Sequence, residues 1–136
     1  MGTMTLTRGI LRELGVMLAS VFTTVGAAWV VDKITEEVQT STMYIGWGTG
    51  AGTSAVGDTA LFTEASEDRA VAEETQPSAN VVQWSATITA DGSKTITNAG
   101  VFTASSGGTL VCKSDFTGRY IDAGDEITFT FQIQLT

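Results

Sequence analysis

Histidine is absent from the 136 residues, cysteine and proline occur once each, and seven Lys plus Arg face fifteen Asp plus Glu. Without histidine the chain lacks the commonest general base, the usual activator of a serine or cysteine nucleophile, and the commonest zinc ligand. One cysteine excludes an internal disulfide framework and, with no histidine, any Cys/His metal centre. Cys112 lies in Leu110-Val111-Cys112 and reads as a small apolar strand residue, with Lys113 beside it on the opposite face of the strand. The net charge of −8 repels phosphate backbones, so nucleic acid is not an expected partner. No catalytic residue, cofactor or metal site is expected, and the chain does not read as an enzyme.

What is abundant points to β-structure. Lys94 to Lys113 carries Thr95-Ile96-Thr97 and Val101-Phe102-Thr103 through Ser105-Ser106-Gly107-Gly108 into Thr109-Leu110-Val111-Cys112, the pattern of a hairpin. Near the C-terminus Ile127, Phe129, Phe131, Ile133 and Leu135 alternate with Thr and Gln, which predicts an outer antiparallel strand with one face on a core. Val82, Trp84, Ala86 and Ile88 predict another strand of this kind, and residues 70–76 a strand cut off at Pro77. Turns at Asp91-Gly92-Ser93 and Asp122-Ala123-Gly124-Asp125 complete a pattern of six or more short strands. The expected fold is mainly β, an antiparallel β-sandwich or small barrel with an N-terminal α-helix.

The chain divides near residue 41 into an N-terminal apolar helix (1–41) and a β-sandwich domain (42–136). Leu11, Leu14, Leu18, Val21, Val25 and Ala28 recur at spacings of three and four, a heptad seam that predicts an oligomerisation or docking helix. Val16, Met17, Phe22, Trp29 and Val30 surround the seam, and a helix apolar on nearly every side must be covered by something. Residues 15–31 carry no charge, which leaves a membrane span as an alternative at the lower limit of length. Arg8 and Arg12 ahead of this stretch, with Val25-Gly26-Ala27-Ala28 as a cleavage site, leave a signal peptide as another.

Glycines at 46, 48, 50 and 52 match neither common phosphate-binding spacing and read as a loop. Arg69 is placed to pin that loop through Glu64, Glu67 or Asp68. The remaining carboxylates read as solvated surface, and neither Asp-containing turn resembles a twelve-residue calcium loop. Tyr44, Trp47 and Tyr120, if exposed, are candidate surface-recognition residues that would stack on sugar rings.

The ordered motifs Tyr44-Ile45-Gly46-Trp47-Gly48-Thr49-Gly50-Ala51-Gly52-Thr53, Gly57-Asp58-Thr59-Ala60-Leu61-Phe62-Thr63-Glu64, Arg69, Thr97-Asn98-Ala99-Gly100-Val101-Phe102-Thr103 with its turn to Leu110, and Asp125-Glu126-Ile127-Thr128-Phe129-Thr130-Phe131 resemble a β-rich domain of tailed-bacteriophage virion proteins, of the tail-fibre-like or head-decoration type. The resemblance covers roughly residues 42–135 and carries no catalytic motif. It implies a structural protein located in the virion, foremost a capsid decoration (cement) protein that bridges neighbouring major capsid subunits. Its partners would be other virion proteins, the major capsid protein or tail components, and the chain would be a homo-oligomer, with a trimer favoured. A tail-fibre or head-fibre adaptor that binds host glycan or another fibre is the alternative, and a membrane-anchored or secreted bacterial β-module the next.

Overall fold

The computed structural model describes residues 2–7, 11–17, 19–34 and 42–134, and side chains from Val21 to Lys33 and from 42 to 134. In chain order the elements are β1 (Gly2–Thr7), β2 (Leu11–Met17), β3 (Ala19–Phe22), α1 (Thr24–Ile34), β4 (Tyr44–Gly48), β5 (Ala70–Val71), β6 (Glu73–Ser78), β7 (Val81–Thr89), β8 (Lys94–Phe102), β9 (Leu110–Ile121) and β10 (Glu126–Gln134). They form two five-stranded sheets, β2-β1-β10-β7-β6 and β3-β9-β8-β4-β5, with every strand pair antiparallel. The architecture is a β-sandwich and not a closed barrel.

Period-two patterning builds the core. On β10 the residues Ile127, Phe129 and Phe131 are buried, and on β7 they face Ile88, Ala86 and Trp84 in register. The expected strand is there, although it lies inside its sheet between β1 and β7, and its wet face is the outside of the sandwich. From the other sheet Ile45 and Trp47 of β4, Ile96 and Val101 of β8 and Cys112 of β9 complete the interior. Trp47 meets Phe129 edge-on at 6.1 Å, so one aromatic contact spans the two sheets. The predicted hairpin is β8–β9, closed between Phe102 and Leu110.

At both lateral margins the chain steps from one sheet to the other. Residues 11–22 run as β2 on the edge of the first sheet and then as β3 on the edge of the second, while residues 70–78 pass from edge strand β5 to edge strand β6. Strands that switch sheets make the corners of such folds. Pro77 is accommodated inside β6 because an edge strand has one side free of ladder bonds and the register shifts between Thr75 and Ser78.

The largest correction concerns the N-terminal stretch. Leu11 and Leu14 lie on β2, Val21 on β3, and only Val25 and Ala28 on a helix, while Leu18 falls outside the described residues. The heptad positions therefore do not share one helical face. The reason is tertiary: β10 and β9 each have a free ladder edge, and β1 and β3 satisfy it, which outweighs weak local helix preference in a segment holding Gly9, Gly15 and several β-branched residues. The sandwich thus draws three strands from the region expected to be helix.

Helix α1 begins only at Thr24, and its start is well specified. Thr23 is the N-cap: its Oγ1 accepts from Gly26 N–H at 2.9 Å, three residues on, and donates to the carbonyl of Leu110. Its own N–H donates to Val111 O at 3.1 Å. A Cβ at position 26 would run into the Val111 backbone, so glycine sets how closely α1 rests on β9. Among the described residues no helix is long and apolar enough to cross a membrane.

Candidate functional site

The outer face of the second sheet is covered by a strap, residues 49–69, held by side chains from the strands beneath it. Asn98 is fully buried on β8 and grips the strap as a neighbouring strand would: its Oδ1 accepts from Phe62 N–H and its Nδ2 donates to Phe62 O, both at 3.0 Å. Gly48 is what lets the strap approach, since a Cβ there would meet Phe62 O and the Asn98 amide. Leu61 then packs with Phe102 and Leu110 as a second small apolar cluster outside the main core.

Cations fasten the rest. Lys113 on β9 is fully buried, donates to Asp58 Oδ2 at 2.8 Å, and sets its ammonium 3.1 Å from the centre of the Phe62 ring. That hydrogen bond, with one from Ala55 N–H, holds the Asp58 carboxyl below its ordinary range. Asp115, two residues along β9, accepts from Ser54 N–H at 2.7 Å. Arg69 makes the predicted pin, and its partner is Glu64: Nε and Nη2 reach the two carboxylate oxygens at 2.6 and 3.0 Å. Its Nη1 also donates to the carbonyls of Ala104 and Gly107 at 2.8 Å, and its guanidinium lies 3.4 Å from the Phe102 ring centre. One arginine thus ties the glycine-rich strap to the β8–β9 turn.

At the end of the sandwich near the β7–β8 turn, Glu67 accepts from Trp47 Nε1 at 3.0 Å, and its other oxygen takes Lys94 Nζ, which also reaches Asp91 at 2.7 Å. Burial pushes the Glu67 carboxyl up, but the Lys94 and Trp47 hydrogen bonds outweigh it and leave the group lowered. Lys94 is raised: burial opposes its charge, and Asp91 and Glu67 more than compensate. Asp91 is lowered, chiefly by its bond to Lys94. Of the four cations in residues 42–134, Arg69, Lys94 and Lys113 are spent on internal fastening, so on the surface acid outnumbers the exposed Arg119.

No protein-family model matches the chain, and no curated protein is detectably similar to it. The reading of its surfaces therefore rests on geometry and on the motifs of its sequence.

Of the three aromatic residues expected to recognise a ligand, Trp47 is a core residue, 1 % exposed, with its N–H engaged by Glu67. It sits on the inner face of β4, and both walls of the sandwich close over it. Tyr44 is half-buried, and Tyr120 on β9 is exposed at 60 %. The structure does not bring the three together into one site. Cys112 is buried, and desolvation pushes its thiol up to about 12, which disfavours the thiolate form that attacks carbon or binds metal. Among the described residues no group of three Cys, Asp or Glu is arranged to hold a metal ion.

Two surface features take their shape only from the fold, the first built partly on Val25 and Ala28 of the expected docking seam. One is the outward face of α1, where Val25, Ala28 and Val31 are exposed beside the exposed Val56 of the strap, whose carbonyl accepts from Thr24 N–H at 2.7 Å. The other is a cleft of about 560 Å³ on the opposite side of that helix, between Trp29, Val30 and Lys33 and the β6–β7 hairpin. Trp29 meets Trp84 edge-on there, with ring centres 6.4 Å apart. The apolar character of residues 25–31 was legible, but which faces it would clothe depended on where the helix begins.

Proposed function

We propose that the protein is a non-enzymatic structural component of a tailed-bacteriophage virion, a capsid decoration protein that bridges neighbouring major capsid subunits as a homotrimer. The observation that carries this reading is the outward face of α1. A helix whose exposed side presents Val25, Ala28 and Val31 leaves apolar area in water that a neighbouring polypeptide would cover. The strap supports the same reading from the other direction, because three ion-paired cations and a buried Asn clasp turn a small domain into a stiff body suited to bridging. The motifs that carry the resemblance to virion domains contain several of the fastening residues, Gly48, Asp58, Phe62, Glu64, Arg69 and Asn98.

Quantitative mass spectrometry of purified particles tests it. The protein should occur in many copies, in fixed ratio to the major capsid protein, and remain on tailless heads. Recovery only with tails would move the assignment to a fibre or adaptor role. That second reading is favoured by one observation, the exposed Tyr120 on β9, an aromatic side chain placed where a host glycan or another fibre could reach it.

A further inference from the structure

We infer that the cleft between α1 and the β6–β7 hairpin is a binding site for a neutral saccharide, a function that stands independently of any place in a virion. Its volume of about 560 Å³ lies within the range of small-molecule sites, and its walls are apolar, formed by Trp29, Val82, Trp84 and Ile133. Its rim is polar and carries both signs of charge: Glu74 on β6, Lys33 on α1, and the amides of Gln76 and Asn80.

The chemistry of the occupant follows by comparing what each class would meet. A cation would find the Trp29 ring and Glu74, but Lys33 already holds its ammonium 6.0 Å from the Trp29 ring centre and would repel it. An anion would meet Lys33 but face the Glu74 carboxylate on the same rim. A wholly apolar molecule would strip water from the rim and return no hydrogen bonds. A neutral polyhydroxylated ring matches both parts, laying its C–H face on an aromatic ring and giving its hydroxyls to carboxylate, amide and ammonium groups that donate and accept.

The local structure presets this arrangement. Glu74 is oriented by Trp84, whose Nε1 donates to Glu74 Oε2 at 2.6 Å, and Gln76 by its bond to Ala79 O at 3.1 Å. The edge-on contact of Trp84 fixes Trp29 in turn. Little side-chain ordering is left for binding to impose.

Intrinsic fluorescence provides the test, because of the three tryptophans Trp29 alone is partly exposed, at the cleft, while Trp84 behind it and Trp47 are buried in the core. The full chain would be titrated with glucose, galactose, mannose, N-acetylglucosamine, lactose and maltose, and in parallel with tetramethylammonium and acetate. At least one sugar should give a saturable spectral change with millimolar or tighter affinity. Trp29→Ala should weaken it tenfold or more. The double variant Glu74→Gln/Gln76→Ala, at two exposed β6 positions, keeps an acceptor for Trp84 Nε1 and should weaken it several-fold while circular dichroism and thermal midpoint stay near wild type, which covers the case in which Trp29→Ala fails to fold. Absence of a saturable change with every sugar overturns the inference, as does a response that survives the double variant or saturation by tetramethylammonium or acetate in place of the sugars.

Discussion

Asp58→Ala and Lys113→Met remove opposite halves of one ion pair, yet their costs should differ several-fold. Losing the carboxylate strands an ammonium that is fully buried under the strap, a situation that costs about 3–5 kcal/mol in buried pairs, whereas replacing the lysine by an apolar chain of similar length leaves only a partly solvated carboxylate. Urea unfolding should show Asp58→Ala destabilised by about 3 kcal/mol and Lys113→Met within about 1 kcal/mol of wild type. Equal losses would mean that the ammonium finds other partners. Thr63 offers a gain instead: it is an exposed, β-branched residue with φ of 51°, in the left-handed region. Asn tolerates that region better, so Thr63→Asn should raise stability by about 1 kcal/mol. At this scale the sequence was partly legible. Arg69 was readable as a pin because acidic residues crowd the short segment before it; the fate of Lys113 was not, since its partner lies 55 positions away and nothing local marks it as buried.

The strap is an element without regular secondary structure, and its attachment should be sensitive to acid. Asp58 and Glu67 both have lowered carboxyl pKa values, so each contributes stability that is present above its unfolded-state value and lost as pH falls through the lower folded value. The unfolding midpoint should therefore drop as pH falls through and below the ordinary carboxyl range, and Asp58→Asn should show a shallower slope because one of the linked protons is gone. Amide exchange at Phe62 gives the local counterpart. Asn98→Ala removes both partners of its buried backbone groups and should speed that exchange while costing about 2–3 kcal/mol. Among the regular elements, β7, β8, β9 and β10 were visible because alternation with turn residues between them leaves few other solutions. The strands β1, β2 and β3 were not legible because apolar residues spaced by three and four compete with two unpaired sheet edges, and those edges are formed by residues 90 or more positions downstream.

At the scale of the whole molecule, internal fastening and external recognition are separated: cations and buried amides hold the strap on one sheet, while α1 carries an apolar outward face and shares the cleft on its inner side. This separation makes the assembly proposal testable without unfolding the protein. Val31 is 57 % exposed and Ala28 is exposed on the next turn, so Ala28→Asp/Val31→Asp places two charges in water in the isolated chain and changes folding stability by no more than about 0.5 kcal/mol per site. If that face is the interface, the same charges must be desolvated on association, and light scattering should show the oligomer of the wild-type chain reduced to monomer, with occupancy on particles lost in parallel. The core tryptophan Trp47 reports the control, since its emission should not move. A variant that remains oligomeric and still binds particles would show that apolar exposure on α1 is incidental, and the bridging surface would then have to lie on the acidic faces of the sandwich, where salt would weaken binding and this double substitution would not.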